Sequence, residues 1–233
     1  AAILDQSLAG RLTPRQPLFT ALSGGPDSSA LALLAADFAA RHGHRHTVLI
    51  VDHGIRPESA AEAARVGARM QVRGIEAEIL AVRAAAPKAG LQAWARAARY
   101  DLLLARVRRV GGCLLLGHHA GDQAETVMMR LRRGSGLAGL AGMRVHVRRA
   151  GVDVLRPFLD VDPAQLAAGC RDHGLATEQD PSNGDRRFER VRVRAELAAH
   201  NATDDVAGRL NRLSAAAASI DDRLLALLAR DGL

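Results

Sequence analysis

The stretch PLFTALSGGPDSS, Pro17 to Ser29, decides how this chain is read. Pro17 to Leu22 is a short apolar run, the signature of a buried strand, and a Ser-Gly-Gly turn ends it. From Asp27 to Arg41 the apolar residues Leu31, Leu34 and Phe38 fall at helical spacing. Paired glycines between a strand and a helix let the backbone turn tightly and approach a ligand, and the helix-start amides converge on an anion. Ser23, Ser28 and Ser29 add hydroxyl donors to Gly24 and Gly25. The loop is not a Walker A motif, because it has neither that spacing nor a lysine. Asp27 would repel phosphates unless a cation intervenes, which points to Mg²⁺. The plainer reading is an N-cap turn without a ligand.

The same strand–helix rhythm repeats downstream. Thr47 to Val51 (TVLIV) is a continuous β-branched run of the buried parallel type, and a helix follows from about Glu58 to Arg73. Ile75 to Val82 reads as a third strand, Leu91 to Arg109 as a basic amphipathic helix with Trp94 and Tyr100, and Cys113 to Leu116 as a fourth strand before a helix over Asp122 to Arg132. Repeated βα units predict a parallel sheet covered on both faces, with ligands beyond the carboxyl ends of the strands. After Gly134 the pattern changes. GSGLAGLAG, Gly134 to Gly142, reads as a flexible glycine-rich connection, and Val145 to Phe158 as short strand-like pieces. Asp162 to His173 reads as a helix stopped by Gly174, EQDPSNGD (Glu178 to Asp185) as turn chemistry, and the chain from Thr203 onward as helical.

Composition bounds the partners. All but one of the 32 basic residues are arginine, Lys88 being the exception, against 25 acidic residues, for a net charge of +7. Arginine forks onto phosphates, so an anionic partner is one explanation and an Ala/Arg-biased genome the other. Aromatics at 3% argue against a base-stacking platform. No apolar run is long enough to span a bilayer, and no signal segment opens the sequence, so no membrane partner and a cytoplasmic location are expected. Cys113 and Cys170 stand far apart, which leaves neither a disulfide framework nor a cysteine-rich metal site.

Two further strand ends carry chemistry. The second ends at Asp52-His53-Gly54-Ile55-Arg56, where a polar group can meet adenine or ribose, or simply form a turn. The fourth ends at Leu116-Gly117-His118-His119-Ala120-Gly121-Asp122-Gln123-Ala124-Glu125. Asp122 and Glu125 are three apart and so share one face near a helix start, fit to hold Mg²⁺, grip a cationic substrate or merely complement the helix dipole. His118 can contact phosphate or assist proton transfer.

SGGPDSS resembles the signature of the PP-loop, or N-type ATP pyrophosphatase, superfamily, which implies an α/β fold: a Rossmann-like five-stranded parallel sheet with helices on both faces and ATP at the first strand's carboxyl end. HHAGDQAETVMMRLRRGSGLAGLAGM (His118 to Met143), VDHGIR, ARAARY (Ala95 to Tyr100), RPFLDV (Arg156 to Val161) and DPSN followed by Arg190 and Arg194 narrow the resemblance to the tRNA(Ile)-lysidine synthetases. That family ligates free L-lysine to C2 of the wobble cytidine of a CAU-anticodon tRNA(Ile) through an adenylated base, giving lysidine and releasing AMP and pyrophosphate. The resemblance implies that Ser23, Gly24, Gly25, Ser28 and Ser29 cradle ATP, with Asp27 on Mg²⁺. It places Asp52, His53 and His118 beside the nucleotide, Asp122 and Glu125 on the amino groups of lysine, and Arg99 and Arg190 in catalysis. Arg132, Arg133 and the basic helix around Arg96, Arg106, Arg108 and Arg109 are candidates for tRNA backbone contact, or a solvated face.

Three positions depart from the family pattern: Val191 for a usual Asn, Gly121 for a frequent acid and Asp52 for a common Asn. The expected organisation is a catalytic domain over 1–200 and a helical tail over 201–233, the start of a reduced or truncated C-terminal domain. The oligomeric state is left open, a homodimer being one arrangement. Another PP-loop enzyme of the 2-thiocytidine or GMP synthetase type is disfavoured by the cysteines and the lack of an amidotransferase partner domain. A weakened tRNA- or nucleotide-binding module is the remaining alternative.

Overall fold

The protein is described by a computed structural model covering residues 2–87, 89–178, 184–201 and 204–230. DPSN (180–183) and Lys88 lie outside the described residues. The chain divides into two compact units: Ala1–Gly117 with His146–Pro157 and Leu166–Glu178, and His118–Val145 with Phe158–Gln165 and Gln179–Leu233.

The first unit is built on a sheet of β1 (Leu18–Ala21), β2 (His46–Asp52), β3 (Glu76–Ala81), β4 (Cys113–Leu115), β5 (His146–Arg149) and β6 (Val152–Leu155), in the order β3-β2-β1-β4-β6-β5. β1, β2, β3, β4 and β6 are parallel, and β5 runs antiparallel to β6. The expected five-stranded parallel sheet is therefore present with a sixth, antiparallel edge strand. Ala150 and Gly151, both at positive φ (49° and 79°), make the two-residue turn that folds β5 onto β6. An alanine in that turn hides the hairpin from sequence, since Asn-Gly or Asp-Gly is the usual signal.

β1 sits between β2 and β4 and is buried on both faces, with Leu18 and Thr20 on one and Phe19 on the other. Helix α2 (Pro26–His42) turns Leu31, Ala32, Ala35, Phe38 and Ala39 inward, with Pro26 in its first turn and Gly43 in the left-handed conformation (φ 72°) at its C-cap. The missed helix α1 (Ala2–Leu8) is short but buries Leu4 and Leu8. Helix α3 (Ser59–Gln71) follows β2, and α4 (Leu91–Arg108) lays Tyr100, Leu103, Leu104 and Val107 on Phe19, Leu49, Leu114, Val152 and Val154. The chain steps from β1 out to β3 and then returns to β4 on β1's other side, so its winding reverses between β1 and β4.

The second unit is helical: α5 (Ala120–Arg132), α6 (Leu137–Leu140), α8 (Glu189–Asn201) and α9 (Val206–Arg230). Helix α7 (Pro163–Asp172) starts in this unit and belongs to the first from Leu166 onward. Ala124, Val127, Val193, Leu197 and Leu210 form the apolar core. Beside it, the Gln123 amide donates to the Met143 carbonyl (3.1 Å) and the Ser214 hydroxyl (2.8 Å) and accepts from the Met143 N–H (2.8 Å). The Arg130 guanidinium donates to the Gly139 and Gly142 carbonyls at 2.7 and 3.0 Å. The glycine-rich stretch read as a flexible connection is thus a short helix and a pinned turn. No helix among the described residues is long and apolar enough to cross a membrane.

His46, at the start of β2, supplies a test of the sheet. Its Nε2 lies 2.9 Å from the buried Thr20 hydroxyl and its Nδ1 is buried without a partner. Burial pulls the imidazole pKa from 6.5 down to about 4. Between those values the unfolded chain binds a proton that the folded state refuses, so stability falls as the pH drops from 7 towards 4, by at most about 3 kcal/mol from this group. Denaturant titrations over that range should show this slope, and His46→Gln should flatten it.

Candidate active site

The loop after β1 is shaped by a glycine that no other residue replaces. Gly24 has φ +86°, and a Cβ there would lie 2.9 Å from Val66 Cγ2 and 3.1 Å from Glu178 Cγ. The Gly24 carbonyl accepts from the Glu178 N–H at 2.8 Å, and Glu178 is held by Arg69 at 2.5 Å. The Cys170 thiol donates to the Pro26 carbonyl (3.2 Å). Sequence reading missed this support by Arg69, Cys170 and Glu178, whose contacts span 109 to 154 residues of chain and leave no local signal.

Above that support the loop presents donors. Gly25 is the N-cap of α2 and, lacking a side chain, supplies no side-chain cap to this end of the helix. Ser28 Oγ accepts from the Ser23 N–H and lies 3.1 Å from Ser23 Oγ, which orients both hydroxyls, and Ser29 is buried beside them. Gly117, just past β4, completes the approach: a Cβ would sit 3.1 Å from the carbonyl carbon and oxygen of Asp27 and from the Ser28 N. Asp27 is half-buried at the helix start, and its charge helps burial raise the Cys170 thiol pKa. Helix-start amides, serine hydroxyls and one carboxylate are a donor set that suits a polyphosphate with a hard cation. No group of three or more His, Cys, Asp or Glu able to hold a metal by themselves occurs among the described residues.

At the end of neighbouring β2, Asp52 Oδ1 accepts from the Gly54 N–H (2.9 Å) and forms a tight turn. His53 Nδ1 is buried without a hydrogen bond. Burial and then the charge of Arg99 lower the His53 pKa, against an opposing pull from Asp52. Asp52, His53 and Arg99 therefore share one neighbourhood in the first unit.

The second unit gathers the remaining candidates around α5. His119 is the N-cap: its Nδ1 accepts from the Gly121 and Asp122 N–H groups, and Asp122 Oδ2 accepts from the His119 N–H (3.1 Å) in return. Asp122 and Glu125 share one helix face as expected, but arginines of α8 occupy it. Arg190 reaches Glu125 Oε2 (2.5 Å) and Asp122 Oδ1 (2.9 Å), and Arg194 reaches Glu125 Oε1 (2.5 Å). The Glu125 side chain is only 4% exposed. For Asp122, burial raises the pKa, yet the charges of His119, Arg190 and His118 and the His119 N–H outweigh it and hold the carboxyl below the usual value. Arg194 was matched in sequence but given no role; its i, i+4 spacing from Arg190 was the available signal. Val191 is half-buried on the same helix. Arg132 and Arg133 are ion-paired to Glu196 and Glu189.

A family model described as PP-loop domain matches residues 3–201. The chain is 48% identical to the tRNA(Ile)-lysidine synthase of Novosphingobium aromaticivorans over 82% of this chain and 59% of that protein. It is 42% identical to that of Bradyrhizobium diazoefficiens (97% and 66%) and 46% identical to that of a Methylobacterium species (84% and 56%). The chain thus spans between 56% and 66% of the length of these curated relatives. Among solved structures, the U34-tRNA thiolase NcsA from Methanococcus maripaludis shares the fold, with a TM-score of 0.73 over 91% of this chain and 75% of that one at 17% identity. With a sheet that reverses its winding beside a helix start with glycine at its N-cap, and a family match over most of its length, the chain belongs to the PP-loop domain family.

Proposed function

We propose that this chain carries the catalytic core of a tRNA(Ile)-lysidine synthetase, using ATP to ligate lysine to C2 of the wobble cytidine of a CAU-anticodon tRNA. The observation that carries the reading is the acid pair on α5, a buried glutamate and an aspartate kept ionised by its surroundings, in a chain 42–48% identical to lysidine synthases. Two carboxylates are a fitting receptor for the amino groups of lysine, and each carboxylate oxygen can accept two hydrogen bonds, so Asp122 has capacity beyond its present contacts.

In this reading the α2 amides and the hydroxyls of Ser23, Ser28 and Ser29 hold the ATP phosphates, and Gly24 and Gly25 let the backbone close on them. Asp27 would hold Mg²⁺, which when bound would screen phosphate charge. Asp52, His53 and His118 lie beside the nucleotide. The C2 oxygen of cytidine attacks the α-phosphorus and pyrophosphate leaves; the ε-amine of lysine then attacks C2, AMP departs with that oxygen, and the amine gives up a proton. Arg99 and Arg190 stabilise charge building on phosphate oxygens. Asp122 and Glu125 place the amine, so positioning and charge stabilisation supply most of the catalysis. Residues 1–200 form the catalytic domain in this proposal, and 201–233 a helical tail.

The cysteines favour ligation over thiolation. Cys113 lies inside β4, where burial, aided by Asp153, pushes its thiol up to about 12, and the buried Cys170 thiol is raised as well. Thiols held protonated in this way are poor nucleophiles and metal ligands.

Labelled lysine tests the proposal directly. ATP-dependent incorporation into a CAU-anticodon tRNA, with AMP and pyrophosphate released, is expected, and incorporation indifferent to the tRNA supplied would sink the specificity. Asp122→Ala should lower incorporation by about 100-fold or more with the circular dichroism of the fold retained; full activity would remove Asp122 from the site.

Gly117→Ala places a methyl against the backbone of Asp27 and Ser28. It should raise the KM for ATP about tenfold with a small change in Tm. An unchanged KM would show that this approach does not shape the nucleotide site.

A further inference from the structure

Tyr100 is 2% exposed in α4, and three guanidinium groups gather on its ring: Arg149 at 4.5 Å from the centroid, Arg96 at 5.1 Å and Arg99 at 5.9 Å. Arg56, Arg69, Arg187 and Arg209 are held differently, each donating N–H groups to a carboxylate, and Arg41 and Arg106 combine such an ion pair with a place over a ring, Phe38 and Phe19. Among the described residues, Arg96 and Arg149 have no carboxylate partner.

The difference is chemical. An ion pair fixes an arginine by consuming its donors, whereas stacking on a ring uses the flat face of the guanidinium. Arg96 and Arg149 lie over the ring and donate to no carboxylate among the described residues, so their N–H groups are left for an external anion. Both residues are exposed. Beside Arg149 on β5, Arg148 is 70% exposed but ion-paired to Asp153 (3.6 Å), and at the β5–β6 turn Arg108 Cδ lies 3.9 Å from the Cβ position of Gly151. At its other end Arg99 acts on His53, beyond the carboxyl end of β2. The arginines thus form a track from the candidate nucleotide end of the first unit along α4 to the sheet edge.

We propose that Arg96 and Arg149, stacked on Tyr100, form a docking surface for the phosphodiester backbone of RNA. This rests on the proposed tRNA-modifying function and specifies which arginines serve it. Fixed guanidinium forks are matched to phosphate oxygens and read no sequence, so the surface holds the RNA while recognition of the base lies elsewhere. Protection of the β5 edge by charge would account for Arg148 and Arg149 alone, and not for Arg149 meeting Arg96 on one ring.

The test measures binding of a fluorescent stem-loop RNA with CAU in its loop, across about 50 to 200 mM salt. Arg96→Ala with Arg149→Ala should lower the slope of log K against log salt by about 1.5 and weaken binding about 30-fold at 0.1 M salt. Arg209→Ala with Arg212→Ala removes the same charge elsewhere and should change affinity less than threefold, as should Tyr100→Phe, which keeps the ring. Equal losses in the two double variants would reduce the effect to net charge and overturn the proposal. So would wild-type affinity in the first pair, with or without aggregation. Arg96→Gln with Arg149→Gln repeats the test should the alanine pair unfold. Binding through this surface without lysine incorporation by the wild-type chain would uphold the surface and overturn the ligase reading. Incorporation with unaltered binding in the variants would do the reverse.

Discussion

A strand of four residues with parallel neighbours on both sides constrains everything in the first unit. β1 is hydrogen-bonded to β2 and β4 at once, so the chain leaving it emerges where the winding reverses and no connection crosses its carboxyl end. The start of α2 then faces that gap with glycine at its N-cap, and the loop can afford no bulk: Gly24 has its left-handed φ and Gly117 meets the Asp27–Ser28 backbone. Burial of β1 is what makes the arrangement rigid. Leu18 and Thr20 are fully buried, so a shift of the loop would have to move the centre of the sheet.

The second unit answers a different constraint, the cost of burying a charge. Glu125 is nearly inaccessible, and an unpaired carboxylate there would cost several kcal/mol. Arg190 and Arg194 make the burial tolerable, and in doing so they fix α8 against α5. A helix that packed only through Val193 and Leu197 could rotate or slide, whereas two guanidinium forks on one carboxylate admit a single register. The same contacts keep Arg190 extended beside Asp122. A network of this kind stabilises little against an apolar alternative, and its retention fits a site that must present charge.

The sheet and the loop were legible because their signals are local. The apolar run of β2, the Ser-Gly-Gly break after β1 and the i, i+3 acids of α5 each need only a few residues to be recognised. The edge hairpin was not, since its turn uses Ala150, and α8 was not, since its apolar face is thin among charged residues. The glycine-rich stretch after α5 misled for a similar reason. Its order comes from Gln123, Arg130 and Ser214, none of which belongs to the stretch. The acid pair was found, but its arginine partners lie 65 and 69 residues away and no periodicity links them.

The arginine excess is where structure adds most to composition. A net charge of +7 could not separate an anionic partner from a biased genome. Geometry separates the arginines by what their donors do. Those paired with Glu196, Glu189, Asp5 or Glu78 are neutralised locally and contribute little to a distant anion, as expected of residues that accumulate by bias and settle against the nearest acid. Arg96 and Arg149 settle instead on an aromatic ring and donate to no carboxylate among the described residues. Bias can supply arginines anywhere on a surface. It supplies no reason for two of them to converge on the one tyrosine of the chain, whose ring is buried in α4.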